Sequence, residues 1–167
     1  VSGGALLAAL LIDRARAAHV TIATAESCTG GLVSAALTEV AGASDVFLCG
    51  FVTYSNAAKT AVLSVPATVI ATHGAVSEQV AGAMADGALA RSGATLAISV
   101  TGVAGPGASG RKPEGRVCFG LARAGAATRV ETVEFGALGR AGVRGATVAH
   151  ALALLDGALT DSALPST

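Results

Sequence analysis

The chain has 167 residues, enough for one ordinary domain and too few for two, and 11 Lys+Arg against 11 Asp+Glu give a formal net charge of +0. Without a basic field and with only 3% aromatic residues, neither a nucleic-acid surface nor an anionic-membrane surface is expected; small molecules and further copies of the chain are the expected partners. Much of the 52% hydrophobic fraction is alanine, which predicts a tight core rather than a bulky one, and charges interrupt every apolar run before the roughly 18–20 residues a spanning helix needs.

The stretch 4–12 reads as a structural helix running to about His19, with Leu7, Leu10 and Leu11 on its apolar face. It is not read as a signal-peptide core: no basic region precedes it, and Asp13, Arg14 and Arg16 follow at once. The first residue is Val1 rather than Met, so a short missing piece of the natural start is expected. Residues 20–24 predict a buried strand feeding a turn, and Val33, Ala36, Leu37 and Val40 fall at helical spacing until Gly42. A second strand region spans 45–55, followed by a helix start near Lys59. Pro66 opens a short helix, Ser77 caps a longer one carrying Val80, Met84 and Ala88, and Gly93 ends it. Residues 95–100 predict another continuous apolar strand. After an exposed loop at 110–115, Val117, Phe119 and Leu121 alternate as a half-buried strand, and 128–135 supplies its antiparallel neighbour through a hairpin. Val148, Leu152, Leu155 and Leu159 mark a closing helix from about Arg140, before a frayed tail at 164–167. One domain over 1–163 is expected.

Cys28, Cys49 and Cys118 show no Cys-x-x-Cys spacing, so neither a disulfide framework nor zinc is expected, and a reducing cytoplasm fits. His19, His73 and His150 are isolated from carboxylates at ligand spacing, so no metal site is expected.

Three segments carry residue types suited to chemistry. Ala25-Glu26-Ser27-Cys28-Thr29-Gly30-Gly31 lies at a strand-to-helix junction, where hydroxyls can cap, bind or attack and backbone N–H groups face outward. Alone, it reads most simply as a capped helix start. Only two of the 11 cationic residues are lysines, Lys59 and Lys112, and lysine, unlike arginine, can become a neutral base when desolvated. Thr101-Gly102-Val103-Ala104-Gly105-Pro106-Gly107 resembles an anion cradle, but it lacks both the Gly-x-Gly-x-x-Gly and the complete P-loop patterns.

Taken in order, the first of these segments, then 50–59, His73-Gly74-Ala75-Val76-Ser77, 99–106, Lys112-Pro113 with Gly115, and Arg140 with Arg144 resemble the CinA C-terminal domain family, whose characterised members are nicotinamide mononucleotide deamidases. The resemblance covers nearly the whole chain. It implies an α/β fold, a three-layer α/β/α domain with a mixed sheet, and hydrolysis of the mononucleotide carboxamide to nicotinate mononucleotide and ammonia without a cofactor. It further implies Ser27 as nucleophile and Lys59 as its base, with Tyr54 close by. The sequence departs from the family pattern at Glu114, commonly a small apolar residue, and at Gly139, where an acidic residue often precedes the arginine. Many family members also carry an N-terminal domain that this chain lacks.

In that chemistry Lys59, kept neutral by burial, takes the Ser27 proton and returns it to the leaving amine, while Tyr54 relays or orients it. Backbone N–H groups at Thr29, Gly30 and Gly31 are the expected oxyanion donors. Thr101, Gly102 and Gly105 are expected to hold phosphate or ribose, assisted by Arg140 or Arg144, with Asn56 among the substrate-binding residues. Cys28 is the rival nucleophile, but neighbours on a tight turn point apart and no histidine stands ready to activate it. The alternatives in other classes are a non-catalytic nucleotide-binding or regulatory module, which would have no reason to keep Ser27, Tyr54 and Lys59 together, and a structural oligomerisation domain. Alanine-rich helix faces make a homo-oligomer the expected assembly.

Overall fold

The computed structural model describes residues 2–161, so the expected tail at 164–167 lies outside the described residues. The chain opens with α1 (Gly3–Ala17), started by the Ser2 hydroxyl accepting the Ala5 N–H. Its buried stripe is Ala8, Leu11, Ile12 and Ala15, one position round from the expected face, and Leu10 is left 44% exposed. Burial of a side chain such as Leu11 or Ile12 contributes roughly 1.5–3 kcal/mol. Next come β1 (Ile22–Glu26), α2 (Leu32–Thr38), a 3-10 turn (Ala43–Asp45) and β2 (Phe47–Val52). Then α3 (Asn56–Leu63), α4 (Ala67–His73) and α5 (Glu78–Ser92) precede β3 (Leu96–Gly102), the hairpin β4 (Arg116–Arg123) and β5 (Arg129–Glu134), and α6 (Gly139–Asp161).

The five strands form one mixed sheet in the order β2-β1-β3-β4-β5. β1 is parallel to both β2 and β3, while β4 and β5 return antiparallel. Helices cover both faces, making three layers. Ile22, Leu96, Ile98, Val100, Val117, Phe119 and Leu121 face α1, α2 and α6. The alternate residues Ala23, Ala25, Ala97 and Ala122 face α3, α4 and α5. This period-two division explains the alanine content: the second face is built of small side chains so that α5 can lie almost on the strands. Gly120 shows how close it lies, since a Cβ there would stand 2.4 Å from the Ala81 carbonyl oxygen.

Two expectations are corrected. β4 is buried on both faces, not half-buried, because α5 lies on one side of it and α6 on the other. The 45–55 region contains a shorter strand, β2, at the sheet edge with Leu48 and Val52 exposed.

Among the described residues, no helix is long and apolar enough to cross a membrane. The three parallel strands β1, β2 and β3 all end at one edge, the position where open α/β sheets bind ligands. The crossover from β1 to β2 passes through α2 on one face, whereas that from β2 to β3 passes through α3, α4 and α5 on the other. A crevice therefore opens beyond the end of β1.

Candidate active site

β1 extends two residues further than expected, and its alternation decides which way Glu26, Ser27 and Cys28 point. Ile22, Thr24 and Glu26 face the α2 side, while Ala23 and Ala25 face the α3 side. Ser27, next in that alternation, meets Lys59 of α3: Lys59 Nζ stands 2.9 Å from Ser27 Oγ. Cys28 returns to the α2 side and packs in that core.

Ser55 caps α3, its hydroxyl accepting the Ala58 N–H, and this orients the helix so that Lys59 points inward. Lys59 is only 1% exposed. Its Nζ also donates to the carbonyls of Thr53, at 2.9 Å, and Tyr54, at 3.3 Å. Removal from water pulls the Lys59 amine below its ordinary value, with the neighbouring Cys28 opposing the shift. The Cys28 thiol is pushed up to about 11, chiefly by burial, which keeps it in its unreactive protonated form.

The Ser27–Lys59 pair forms part of the lining of a cavity of about 330 Å³. Cys28, Tyr54, Asn56, Ala75, Val76, Thr101 and the 102–109 loop line the rest, and Arg140 closes one side. Arg140 spans the mouth, donating from Nη1 to the Gly105 carbonyl at 2.9 Å and from Nη2 to the Tyr54 hydroxyl at 2.8 Å. The Ala104 and Gly105 N–H groups donate to no protein group among the described residues, leaving two backbone donors in the cavity lining. Thr101 turns its hydroxyl to the Ala75 carbonyl and so braces the opposite wall. Gly102 is required by packing, since a Cβ there would come within 2.7 Å of Val117.

Of the expected site residues, Ser27, Lys59, Tyr54, Asn56, Thr101, Gly102, Gly105 and Arg140 meet in this cavity. Tyr54 reaches the Ser27–Lys59 pair through its backbone carbonyl, while its phenol stands at the mouth against Arg140. Among the described residues no hydrogen bond joins the phenol to Ser27 or Lys59. Thr29, Gly30 and Gly31 do not line the cavity. Both glycines have positive φ, 57° and 105°, so their role is to turn the chain into α2. The Gly30 N–H donates back to the Ser27 carbonyl at 3.1 Å and is not free for an oxyanion. Arg144 also lies outside the lining and donates to the Thr29 carbonyl at 3.2 Å, steadying the turn from behind.

At the start of α2 the Val33 and Ser34 N–H groups are taken by Glu26, a residue to which the local sequence pattern assigns no role. Its 1%-exposed carboxylate accepts the Thr29 hydroxyl at 2.6 Å and the Val33 N–H at 2.8 Å on Oε1. Oε2 accepts the Ser34 N–H at 3.0 Å and the Ser34 hydroxyl at 2.7 Å. Having given its one hydroxyl proton to Glu26, Ser34 accepts from Thr24, 2.7 Å away. Strand alternation carried two residues further would have placed Glu26 on this side. Lys112, the other lysine, is likewise committed: its Nζ donates to the His73 and Val76 carbonyls and ties the 109–115 loop to the cavity wall.

Residues 5–159 match the model of the CinA C-terminal domain. The chain is 50% identical over 145 residues to a putative competence-damage inducible protein of Symbiobacterium thermophilum, covering 81% of this chain and 34% of that protein. It is 52% identical over 142 residues to a CinA-like protein of Mycobacterium sp. (strain JLS), covering 84% of this chain and 34% of that protein. Thus the chain spans about a third of the length of these relatives. The crystal structure of competence/damage inducible protein CihA from Agrobacterium tumefaciens superposes with a TM-score of 0.91 at 43% identity, covering 96% of this chain and 97% of that one. A CinA superfamily protein from Klebsiella pneumoniae 700603 gives 0.92 at 33% identity, covering 96% and 99%. With its sheet order, its helix layers and nearly its whole length shared with these proteins, the chain belongs to the CinA C-terminal domain family.

Proposed function

We propose that the chain is an amidase that hydrolyses the carboxamide of nicotinamide mononucleotide, with Ser27 as nucleophile and Lys59 as general base. The observation that carries this reading is the buried Lys59 amine 2.9 Å from Ser27 Oγ at the edge of an open cavity. A neutral amine has two N–H groups and one lone pair. The Thr53 and Tyr54 carbonyls can only accept, so they take the two N–H groups, and the lone pair is left for the Ser27 hydroxyl proton. Burial favours that neutral form. The pair is thereby arranged with serine as donor and lysine as acceptor, as nucleophile activation requires.

Ser27 Oγ attacks the carboxamide carbon as its proton passes to Lys59. The tetrahedral intermediate collapses with cleavage of the C–N bond, Lys59 returns the proton to the departing nitrogen, and ammonia leaves an acyl ester on Ser27. Water then attacks the ester and gives its proton to Lys59. The C–Oγ bond breaks, Ser27 recovers its proton from Lys59, and the carboxylic product ionises. The N–H of Cys28, next after the nucleophile and in the cavity wall, is the donor proposed for the oxyanion. Arg140 with the Ala104 and Gly105 N–H groups is proposed to hold the phosphate, beside Asn56, Thr101 and Gly102. Thr29, Gly30, Gly31 and Arg144 act behind the turn.

The mononucleotide itself is supplied by the resemblance of the motif set, not by any one residue. The test is to incubate the purified chain with nicotinamide mononucleotide and measure ammonia together with nicotinate mononucleotide. Binding without ammonia would replace the amidase reading with the nucleotide-binding module.

A further inference from the structure

Glu114 is not in the cavity lining, yet its carboxylate links two separate parts of the cavity rim. Oε2 accepts the N–H of Gly107, at 2.8 Å, from the glycine-rich loop. Oε1 accepts the N–H of Gly139, at 2.9 Å, at the start of α6 and immediately before Arg140. From there Arg140 reaches back to the Gly105 carbonyl of the same loop. Loop, Glu114, helix start and Arg140 thus form a closed ring of hydrogen bonds and chain, with the Tyr54 hydroxyl hanging from its free end. The carboxylate lies flush against the loop: a Cβ on Gly105, whose φ is 84°, would stand 2.5 Å from Glu114 Cδ.

Each oxygen serves a different wall, and each N–H lacks another protein partner among the described residues. The Gly139 N–H is one of the donors a helix start leaves without an internal acceptor, so a carboxylate there also suits the helix dipole. Removing the link would let α6 and the loop shift against each other. The Arg140 guanidinium, held at two points among the described residues, would move with them.

We propose that Glu114 is a positioning residue for the anion-binding rim: it sets the distance between Arg140 and the glycine-rich loop and so governs affinity for the anionic end of the substrate, not the chemistry at Ser27. The part concerning substrate rests on the reading of the cavity as a mononucleotide amidase; the bracing itself does not. Glu114→Gln keeps the size but has one oxygen for two donors, its NH2 facing an N–H. Glu114→Ala removes both links.

The experiment has two arms. In the ligand-free protein, the guanidinium NMR signal of Arg140 and the exchange of the Gly107 and Gly139 amides are compared between wild type and each variant. Broadening of the guanidinium signal and faster exchange of at least one of the two amides are expected; an unchanged guanidinium signal overturns the proposal whatever the substrate. In the second arm, KM and kcat are measured with nicotinamide mononucleotide and with nicotinamide riboside, which carries the same amide without the phosphate. A roughly tenfold rise in KM for the mononucleotide is expected, with kcat held within about twofold and no comparable KM rise for the riboside. Equal losses on both substrates, or a fall in kcat alone, would reduce Glu114 to a brace of the fold and overturn the positioning role. A wild type that turns over neither compound defeats the amidase reading, and the guanidinium signal then decides on Glu114 by itself.

Discussion

Replacing Glu26 by Gln changes one oxygen to NH2 and leaves the volume of the side chain intact. The carboxylate accepts two donors on each oxygen, from Thr29, Val33 and Ser34, and all four are drawn into the start of α2. With the Gln oxygen toward Thr29 and Val33, its NH2 meets the Ser34 N–H and hydroxyl. The hydroxyl can turn, accepting from the NH2 and donating to Thr24, 2.7 Å away. The Ser34 N–H cannot turn, and an unsatisfied buried donor costs about 1–3 kcal/mol. The two surviving bonds also lose their charge assistance, on the order of 1 kcal/mol each. A loss of roughly 3–5 kcal/mol is expected, a large part of the about 5–15 kcal/mol that holds a typical domain. Urea unfolding followed by far-ultraviolet circular dichroism measures it, with an unchanged m-value as the control that the unfolded state is the same. Because Glu26 is adjacent to Ser27, amide turnover should fall as well. A variant within about 0.5 kcal/mol of wild type with unaltered turnover would refute the assignment of Glu26 as the group that holds the α2 start and the Ser27 turn.

Further outcomes concern Ser27, Lys59 and the cysteines. Ser27→Ala, with Cys28 retained, should lower ammonia release by roughly 10³-fold or more, and retained single-turnover release would remove the serine from the reaction. Lys59→Met should lose about 10²–10⁴-fold, and the wild-type rate should rise with pH through a folded Lys59 value lying below 10.5. In the window between that depressed value and 10.5 the unfolded chain binds more protons than the folded one, so wild-type stability relative to Lys59→Met should increase with pH. A pH-independent difference between the two unfolding free energies would contradict the buried neutral amine. Iodoacetamide at mildly alkaline pH should modify the partly exposed Cys49 before Cys28, which is buried with its thiol near 11. Mass-spectrometric peptide mapping during labelling checks this order, and early loss of Cys28 would reopen it as a nucleophile.

How much is legible in the sequence varies with the distance over which each feature is decided. Helix and strand existence follows from local pattern: the Ser77 cap, the Val80-Met84-Ala88 stripe and the 95–100 strand all stand where hydrophobic periodicity and capping chemistry put them. The layered fold and the segments bearing Ser27, Lys59, Thr101 and Arg140 come from the ordered resemblance of motifs. Details resting on side-chain direction are less accessible. The apolar run ends two residues short of the β1 end, and that alone hides which face Glu26 takes and which face Ser27 takes. The same shortfall hides the carboxylate that takes the Val33 and Ser34 N–H groups at the start of α2.

Local pattern thus accounts for the elements and the chemical types available at the strand ends, because period-two and period-3.6 patterns are local properties of the chain. The fold supplies the contact geometry of the pair that the motif resemblance implies. Ser27 and Lys59 are 32 positions apart and meet because parallel β1 and β2 end at the same sheet edge and α3 turns back over it. Glu114 and Gly139 meet across a separation of 25 for a similar reason, the β4–β5 hairpin returning the chain to that edge. Burial completes the distinction: an exposed Lys59 would keep the ordinary lysine charge, and it is the packing of α3 against the sheet that pulls its amine below the ordinary value.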